Sequence, residues 1–329
     1  MRMRARHISI LAVAAIALTA CGDSGSSDSG GGTGSGGTAS GDACAPVPGD
    51  QLVPLEDDKG LQPAENVIPT ANAAYASANP TALDALDTVS AVLTTEDLIG
   101  LNSAVDNERR SVADVAAEYV TENDLGSGVT GSGAVTVGAA SFTESQILAA
   151  VYAGALNAAG FTATVQTVGA REGYLPALQR GEFQLFPEYV GTLTEYLEGN
   201  PDTAVATADL QATLVELTTL GQAAGLSFGT PADAVDANAF AITTTLQDAL
   251  GGITTLSELA EACSDGSLVL GGTPECETRP LCQVGLEQTY GLSFASVESL
   301  ELGPNINNAV KQGVVSLGLS NSTDPAFAQ

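Results

Sequence analysis

From Ala134 onward the chain alternates short apolar strands with capped helices, and that rhythm leaves few folds open. Val135 and Val137 alternate as a strand that ends at Gly138. Ser141-x-x-Glu144 has the form of a capping box, and Ile147, Leu148, Val151, Tyr152 and Leu156 keep helical spacing up to Gly160. A strand over 161–168, a helix over 174–180 stopped by Gly181, a strand over 183–186 and a helix over 191–197 follow. A second set runs through a strand at 239–243 and a helix opened by Thr255-x-x-Glu258. It continues with a strand at 268–270, a helix at 286–290 and a strand at 314–319. Such alternation predicts doubly wound, mainly parallel sheets. The part before it differs: one short strand at Leu52–Leu55, then two helices opened by Thr94-x-x-Asp97 and Ser111-x-x-Asp114. The glycine-rich segment 126–133 joins that part to the first αβ set.

The first residues read as an export signal. A basic stretch to His7 is followed by an apolar run over 8–18, too short to span a bilayer, and Leu18-Thr19-Ala20 precede Cys21. Small residues before a cysteine at this distance resemble a bacterial lipobox, so residues 1–20 are expected to be a lipoprotein signal peptide and Cys21 the lipid-modified end. Residues 21–42 are nearly all Gly, Ser, Thr and Asp. That composition buries no core and makes a flexible tether of roughly 25 Å mean reach. The expected location is extracytoplasmic, anchored by lipid to the bacterial cell membrane.

Charge and composition exclude several functions. The formal net charge is −29 at pH 7, a field that repels phosphate backbones, so no nucleic-acid partner is expected. The single histidine, His7, lies in the leader. A body without histidine assembles no Ser/His/Asp or Cys/His catalysis and no histidine-ligated metal, so neither an enzyme, a cofactor nor a metal site is expected. Beyond Cys21 there are four cysteines, an even number that suits two disulfides in an oxidising compartment.

Several stretches resemble the substrate-binding proteins of osmoprotectant ABC transporters, the glycine betaine/choline family. They are Val137-Gly138 with Phe142-Thr143-Glu144, Pro176-Ala177-Leu178 with Gly181-Glu182, and Pro187-Glu188-Tyr189-Val190-Gly191-Thr192. Pro274-Glu275 with Arg279-Pro280, Gly285-Leu286, Tyr290-Gly291 and Thr323-Asp324 also fit. So do the run from Leu55 to Gly60 and Leu93-Thr94-Thr95-Glu96-Asp97-Leu98 with Leu101-Asn102. In that family the segment like 52–125 comes last; here it comes first, so the resemblance implies a circularly permuted order with its old ends joined through 126–133. The implied fold is a two-lobed periplasmic-binding-protein fold of type II, each lobe a doubly wound sheet, with a two-strand hinge near 66–70 and 226–232. One lobe would run over 71–227. The other would combine 43–70 with 228–329. Cys276 and Cys282 flank a short loop of that second lobe, while Cys44 and Cys263 each precede one of its strands, so Cys276–Cys282 and Cys44–Cys263 are the expected pairs.

The resemblance implies a monomeric receptor that hands a small solute to an ABC permease and its ATPase. A solute-sensing or interaction lipoprotein of the same fold is the alternative. The family holds a quaternary ammonium in an aromatic box, since ring faces attract a cation that donates no hydrogen bond. Carried over, Tyr189 keeps a box tyrosine, Thr192 a nearby hydroxyl and Arg279 the family arginine. Phe240 stands for a usual tyrosine, Asn321 and Glu65 occupy two further aromatic positions, and Ala140 replaces a lysine. Glu65 either substitutes charge for a ring or neutralises Arg279. Arg171 and Glu172, at a cleft-facing turn, are either gate residues or a solvated pair. The expected solute is a glycine betaine, choline or relative.

Overall fold

The computed structural model describes residues 44–169, 171–199 and 204–328. The expected export signal, lipidated Cys21 and tether lie outside the described residues. Among these the chain forms ten strands: β1 (Leu52–Leu55), β2 (Val67–Asn72), β3 (Ala134–Ala139), β4 (Thr162–Thr167), β5 (Leu185–Tyr189), β6 (Leu226–Phe228), β7 (Asn238–Thr243), β8 (Leu268–Gly272), β9 (Phe294–Ser299) and β10 (Leu317–Asn321). They make two mixed five-stranded sheets, in the orders β4-β3-β5-β2-β6 and β1-β7-β10-β8-β9. β3 runs parallel to β4 and β5, whereas β2 is antiparallel to β5 and β6. In the second sheet β1 and β10 pair antiparallel with β7, and β8 pairs parallel with β9 and β10.

The helix Thr143–Ala158 organises the first sheet. It is buried along most of its length because other helices cover the side turned away from the strands. The helices Pro80–Ser90, Thr95–Asp106 and Val112–Glu122 pack with it and with β3 in one core through Leu86, Leu98, Val115, Leu148 and Leu156. Each such leucine or valine contributes about 1.5–3 kcal/mol when taken from water. The opposite face of the sheet carries a second core of Tyr174, Leu178, Phe183, Phe186 and Leu193. The second sheet has its own core, into which both disulfides are built. Cys44–Cys263 ties the segment ahead of β1 to the end of the helix Leu256–Ala262, and Cys276–Cys282 closes the loop after β8.

Local signals acted where side chains reach the backbone. Thr94 with Asp97 and Thr255 with Glu258 form full capping boxes, and Ser111 caps its helix through the Asp114 N–H. The Ser141/Glu144 box does not form: the helix starts at Thr143 after Phe142, with no side-chain cap. Glu144 is turned inward instead, for a reason that becomes clear at the site. In the joint between the helical appendage and β3, Gly126 adopts φ +76°, and a Cβ there would lie 2.1 Å from the Ala155 carbonyl oxygen. Only glycine permits that approach.

The chain passes between the sheets twice, over 56–66 and 229–237, and the two passages touch in an antiparallel bridge between Asn66 and Val235. Asn66 fastens them further by donating from Nδ2 to the Ala232 carbonyl at 2.8 Å. Beside this double crossing lies the space between the two sheets.

Candidate functional site

Two of the cavities beside the crossing share Asp236 and Asn321 as a common wall. The larger, about 400 Å³, is lined by Asn102, Phe142, Glu144 and Thr323 among others. The smaller, about 120 Å³, is lined by Glu65, Thr192, Asn238 and Leu281 among others. The walls come from the carboxyl ends of β3, β5 and β10 and from the second crossing, the usual place for a ligand in open α/β sheets.

Glu65 brings a second carboxyl, beside Asp236, to the smaller cavity. It is 4% exposed, and its Oε2 accepts the Thr192 N–H at 3.0 Å, in the first turn of the helix Val190–Glu198. A carboxylate is favoured there by the unpaired N–H groups and the helix dipole. Gly191 makes the approach possible, since a Cβ at that position would sit 2.8 Å from Glu65 Oε1. Burial nevertheless dominates and pushes the Glu65 carboxyl up to about 7, against the Thr192 N–H and the Arg171 charge.

The larger cavity is more acidic still. Glu144, 5% exposed, accepts the Tyr189 hydroxyl on Oε1 at 2.6 Å and the Asn102 amide on Oε2 at 2.8 Å. Asn102 Nδ2 also donates to the Thr323 carbonyl at 3.1 Å, which fixes the amide orientation and leaves its Oδ1 as a buried acceptor without a partner. Asp236 accepts the Thr323 hydroxyl at 3.0 Å. Burial, helped by the neighbouring Glu144 and Glu65, pushes the Asp236 carboxyl up to about 8. Asp106 and Asp324 complete the acidic lining. Asp106 accepts the Thr143 hydroxyl, and Asp324 takes donors from Asn307, Ser320 and the Ala326 N–H. None of the residues lining this cavity is basic. Among the described residues no group of His, Cys, Asp or Glu is arranged to hold a metal ion.

The expected site residues fall into three groups. Glu65, Thr192 and Asn321 line the cavities. Tyr189 and Arg171 stand behind them. Tyr189 is buried and spends its hydroxyl on Glu144, so it positions an acid instead of offering an open ring face. Arg171 does not pair with the exposed Glu172: it holds the fully buried Glu188 through Nη2 at 2.9 Å and Nε at 3.2 Å, and touches Thr192 Oγ1 at 3.2 Å. Tyr174 adds a 2.7 Å hydrogen bond to Glu188, completing a closed structural group. The remaining three stand apart from both cavities. Phe240 is 1% exposed and packs in the second sheet's core opposite Leu55 and Leu319, its register partners. Ala140 is buried beneath the first sheet, with its N–H on Ser145 Oγ. Arg279 lies 58% exposed on the disulfide loop, paired with Glu275 at 3.2 Å.

Sequence reasoning did not single out Glu144, Asn102 or Asp236, which line the larger cavity. Glu144 carried the spacing of a capping box and was read as one; Asn102 stood in a helical segment with nothing to mark its amide as buried. The available signal was the run Phe142-Thr143-Glu144 directly after a β-strand terminus, where ligand contacts concentrate.

Residues 47–122 and 133–329 match the family model described as the substrate binding domain of ABC-type glycine betaine transport system. No curated protein matches the chain.

Proposed function

Because this chain belongs to the family of substrate-binding domains of ABC-type glycine betaine transport systems, we propose that it is the solute receptor of an ABC importer and captures a quaternary-ammonium compatible solute, glycine betaine, choline or a relative, between its two sheets. The fold is the two-lobed periplasmic-binding fold of type II. The family consists of solute-binding receptors rather than enzymes, and substrate-binding proteins of ABC importers are extracytoplasmic. Among the described residues no helix is long and apolar enough to cross a membrane.

The observation that carries the choice of solute is the convergence of Glu65, Glu144 and Asp236 on adjoining cavities whose linings contain no basic residue. A buried carboxylate without a counter-charge is costly, and an organic cation supplies that charge without demanding hydrogen bonds. In this reading Glu65, Thr192 and Asn321 face the solute, while Tyr189 and Arg171 hold the walls. Phe240, Ala140 and Arg279 have no part in it.

The same proposal covers how the receptor is held and built. Residues 1–20 direct export, Cys21 carries lipid, and 21–42 tether a monomeric body within reach of the permease and its ATPase. The body has a circularly permuted order, with one lobe over 71–227 and the other from 43–70 with 228–329. Support comes from the family match in two blocks on either side of the glycine-rich joint, and from Asp50, Gln51 and Ala328, which line one cavity and so lie near each other.

A thermal-shift screen of glycine betaine, choline, carnitine, ectoine and amino acids tests the solute class. A ligand that binds only the folded state raises stability by RT ln(1 + [L]/Kd). A quaternary ammonium should raise the midpoint at millimolar concentration; a shift with neutral or anionic solutes alone would reject the class.

A further inference from the structure

Two carboxyls meet across the seam between the sheets. Glu144 stands in the first turn of the helix Thr143–Ala158, which packs on the first sheet. Asp236 ends the second crossing, two residues before β7 of the second sheet. The two side chains are hydrogen-bonded directly to each other. Such a bond needs one proton, because like charges at that separation do not both ionise. The remaining partners decide which residue keeps it. Both oxygens of Glu144 already receive donors, Oε1 from the Tyr189 hydroxyl at 2.6 Å and Oε2 from the Asn102 amide at 2.8 Å. Glu144 is therefore the acceptor, and the proton belongs to Asp236. Each member is also fastened to its own side. Tyr189, which holds Glu144, is the last residue of β5. Beside Asp236, the Ala237 N–H donates to Ser322 Oγ at 3.0 Å and the Ser322 N–H to the Ala237 carbonyl at 2.9 Å, which binds this segment to the end of β10. Val235, the preceding residue, makes the bridge to Asn66 where the two passages of the chain pair.

We propose that Glu144 and Asp236 form a proton-operated clasp at the hinge: with one shared proton they hold the two sheets together, and without it two adjoining carboxylates drive them apart. A contact one residue from the paired passages sets the angle at which the sheets meet, so a small local change becomes a rotation of one sheet against the other. The surroundings favour keeping the proton. Glu65 faces the pair from the first crossing, and Asp106 and Asp324 line the same cavity from the helix Thr95–Asp106 and the segment after β10. No basic residue lines that cavity, and Arg171 is committed to Glu188. Desolvation first, then the charges of Glu144 and Glu65, push the Asp236 carboxyl up to about 8. The clasp is therefore made below about pH 8 and broken above it. Asn102 reaches across the same seam to the Thr323 carbonyl at 3.1 Å, a bond between neutral groups that does not titrate in this range. The clasp needs no solute, so its failure and a failure of the solute class are separate results.

The test is the distance between the two sides as a function of pH, measured on the full chain without added solute. Spin labels on Val165→Cys and Val314→Cys, exposed positions on the first and second sides, report it by double electron–electron resonance. The distance should shift to longer values between about pH 6 and about pH 9.5, with its midpoint near the Asp236 value of about 8. Asp236→Asn keeps a donor for Glu144 and removes the titrating proton, so its distance should stay at the short, acid-side value throughout. Glu144→Gln should remove the step as well. Infrared difference spectra of the unlabelled chain over the same range should show the loss of a protonated-carboxyl band, and Asp236→Asn should lack that loss. A distance that ignores pH, a step that survives Asp236→Asn, or no loss of a carboxyl band in the unlabelled chain overturns the clasp. Should the labelled chain fail to fold, the infrared comparison still decides whether Asp236 holds the proton.

Discussion

Residues that look alike by type are used here in opposite ways. Glu188 is wholly buried and fully paired by Arg171 and Tyr174, so its charge is structural. Glu65 is buried nearly as deeply and Asp236 is half-buried beside Glu144, neither in a salt bridge, and desolvation lifts them to about 7 and about 8. Both folded values lie above the ordinary carboxylate range, so between about pH 4 and 8 the folded state keeps protons that the unfolded chain has released. Stability of the solute-free protein therefore falls as pH rises through that window, by no more than about 1.4 kcal/mol per pH unit for each group. Chemical denaturation at pH 5 and pH 8 should show the higher midpoint at pH 5, and Asp236→Asn should shrink the difference. An unchanged difference would mean that Asp236 is not held protonated. Phe240 gives the contrasting case. Phe240→Ala should cost about 3–5 kcal/mol by opening a core cavity, yet leave solute affinity within twofold at temperatures where the variant is folded. A specific loss of affinity would return Phe240 to the site.

At the scale of elements, strands and helices were legible wherever a local device marked them. Thr94 and Thr255 announced their helices through capping residues, and β3, β7 and β8 were visible as short β-branched or apolar runs. β2 escaped, because its six residues are buried throughout and Pro69 interrupts a pattern that shows no alternation. The exposed β9 escaped for the opposite reason, having too little apolar character. The strand expected at 314–319 is shifted to Leu317–Asn321, since Val314 is exposed in the turn that precedes it. Of the residues lining the two cavities, Glu65, Thr192 and Asn321 were reachable by position within the family pattern. The partnership of Glu144, Asn102 and Asp236 was not, because it joins three elements far apart in the chain and depends on where their side chains turn. The link from Cys44 to Cys263 acts at this scale too. It fastens the segment ahead of β1 across 219 residues of sequence, so Cys263→Ser should lower stability by about 2–4 kcal/mol, as read by urea denaturation. A variant with an unaltered midpoint would show that the second sheet holds that segment without the bond.

For the whole molecule, the proposed permutation makes chain order and fold separable. The appendage of three helices packs on the first sheet and β1 joins the second, so the early segment contributes to both sheets, as a relocated tail would. A chain rearranged to run 133–329 and then 44–122, joined by a short glycine linker, should fold to the same thermal midpoint within a few degrees and bind the same solute. Failure of that chain to fold, with secretion and disulfides intact, would count against permutation. The large negative charge draws cations toward the cleft from outside, and salt should slow that capture. In the proposed function the decisive event, however, is local: an organic cation taking the place of protons on carboxyls between the sheets. Calorimetric titration with choline at pH 7.5, repeated in buffers of different ionisation enthalpy, counts those protons directly. The cation favours the ionised forms of Glu65 and Asp236, so binding should release protons to the buffer, with a fractional stoichiometry that falls toward zero above pH 9. Choline binding whose enthalpy is the same in every buffer, or that takes protons up, would contradict a cation site built on these carboxylates.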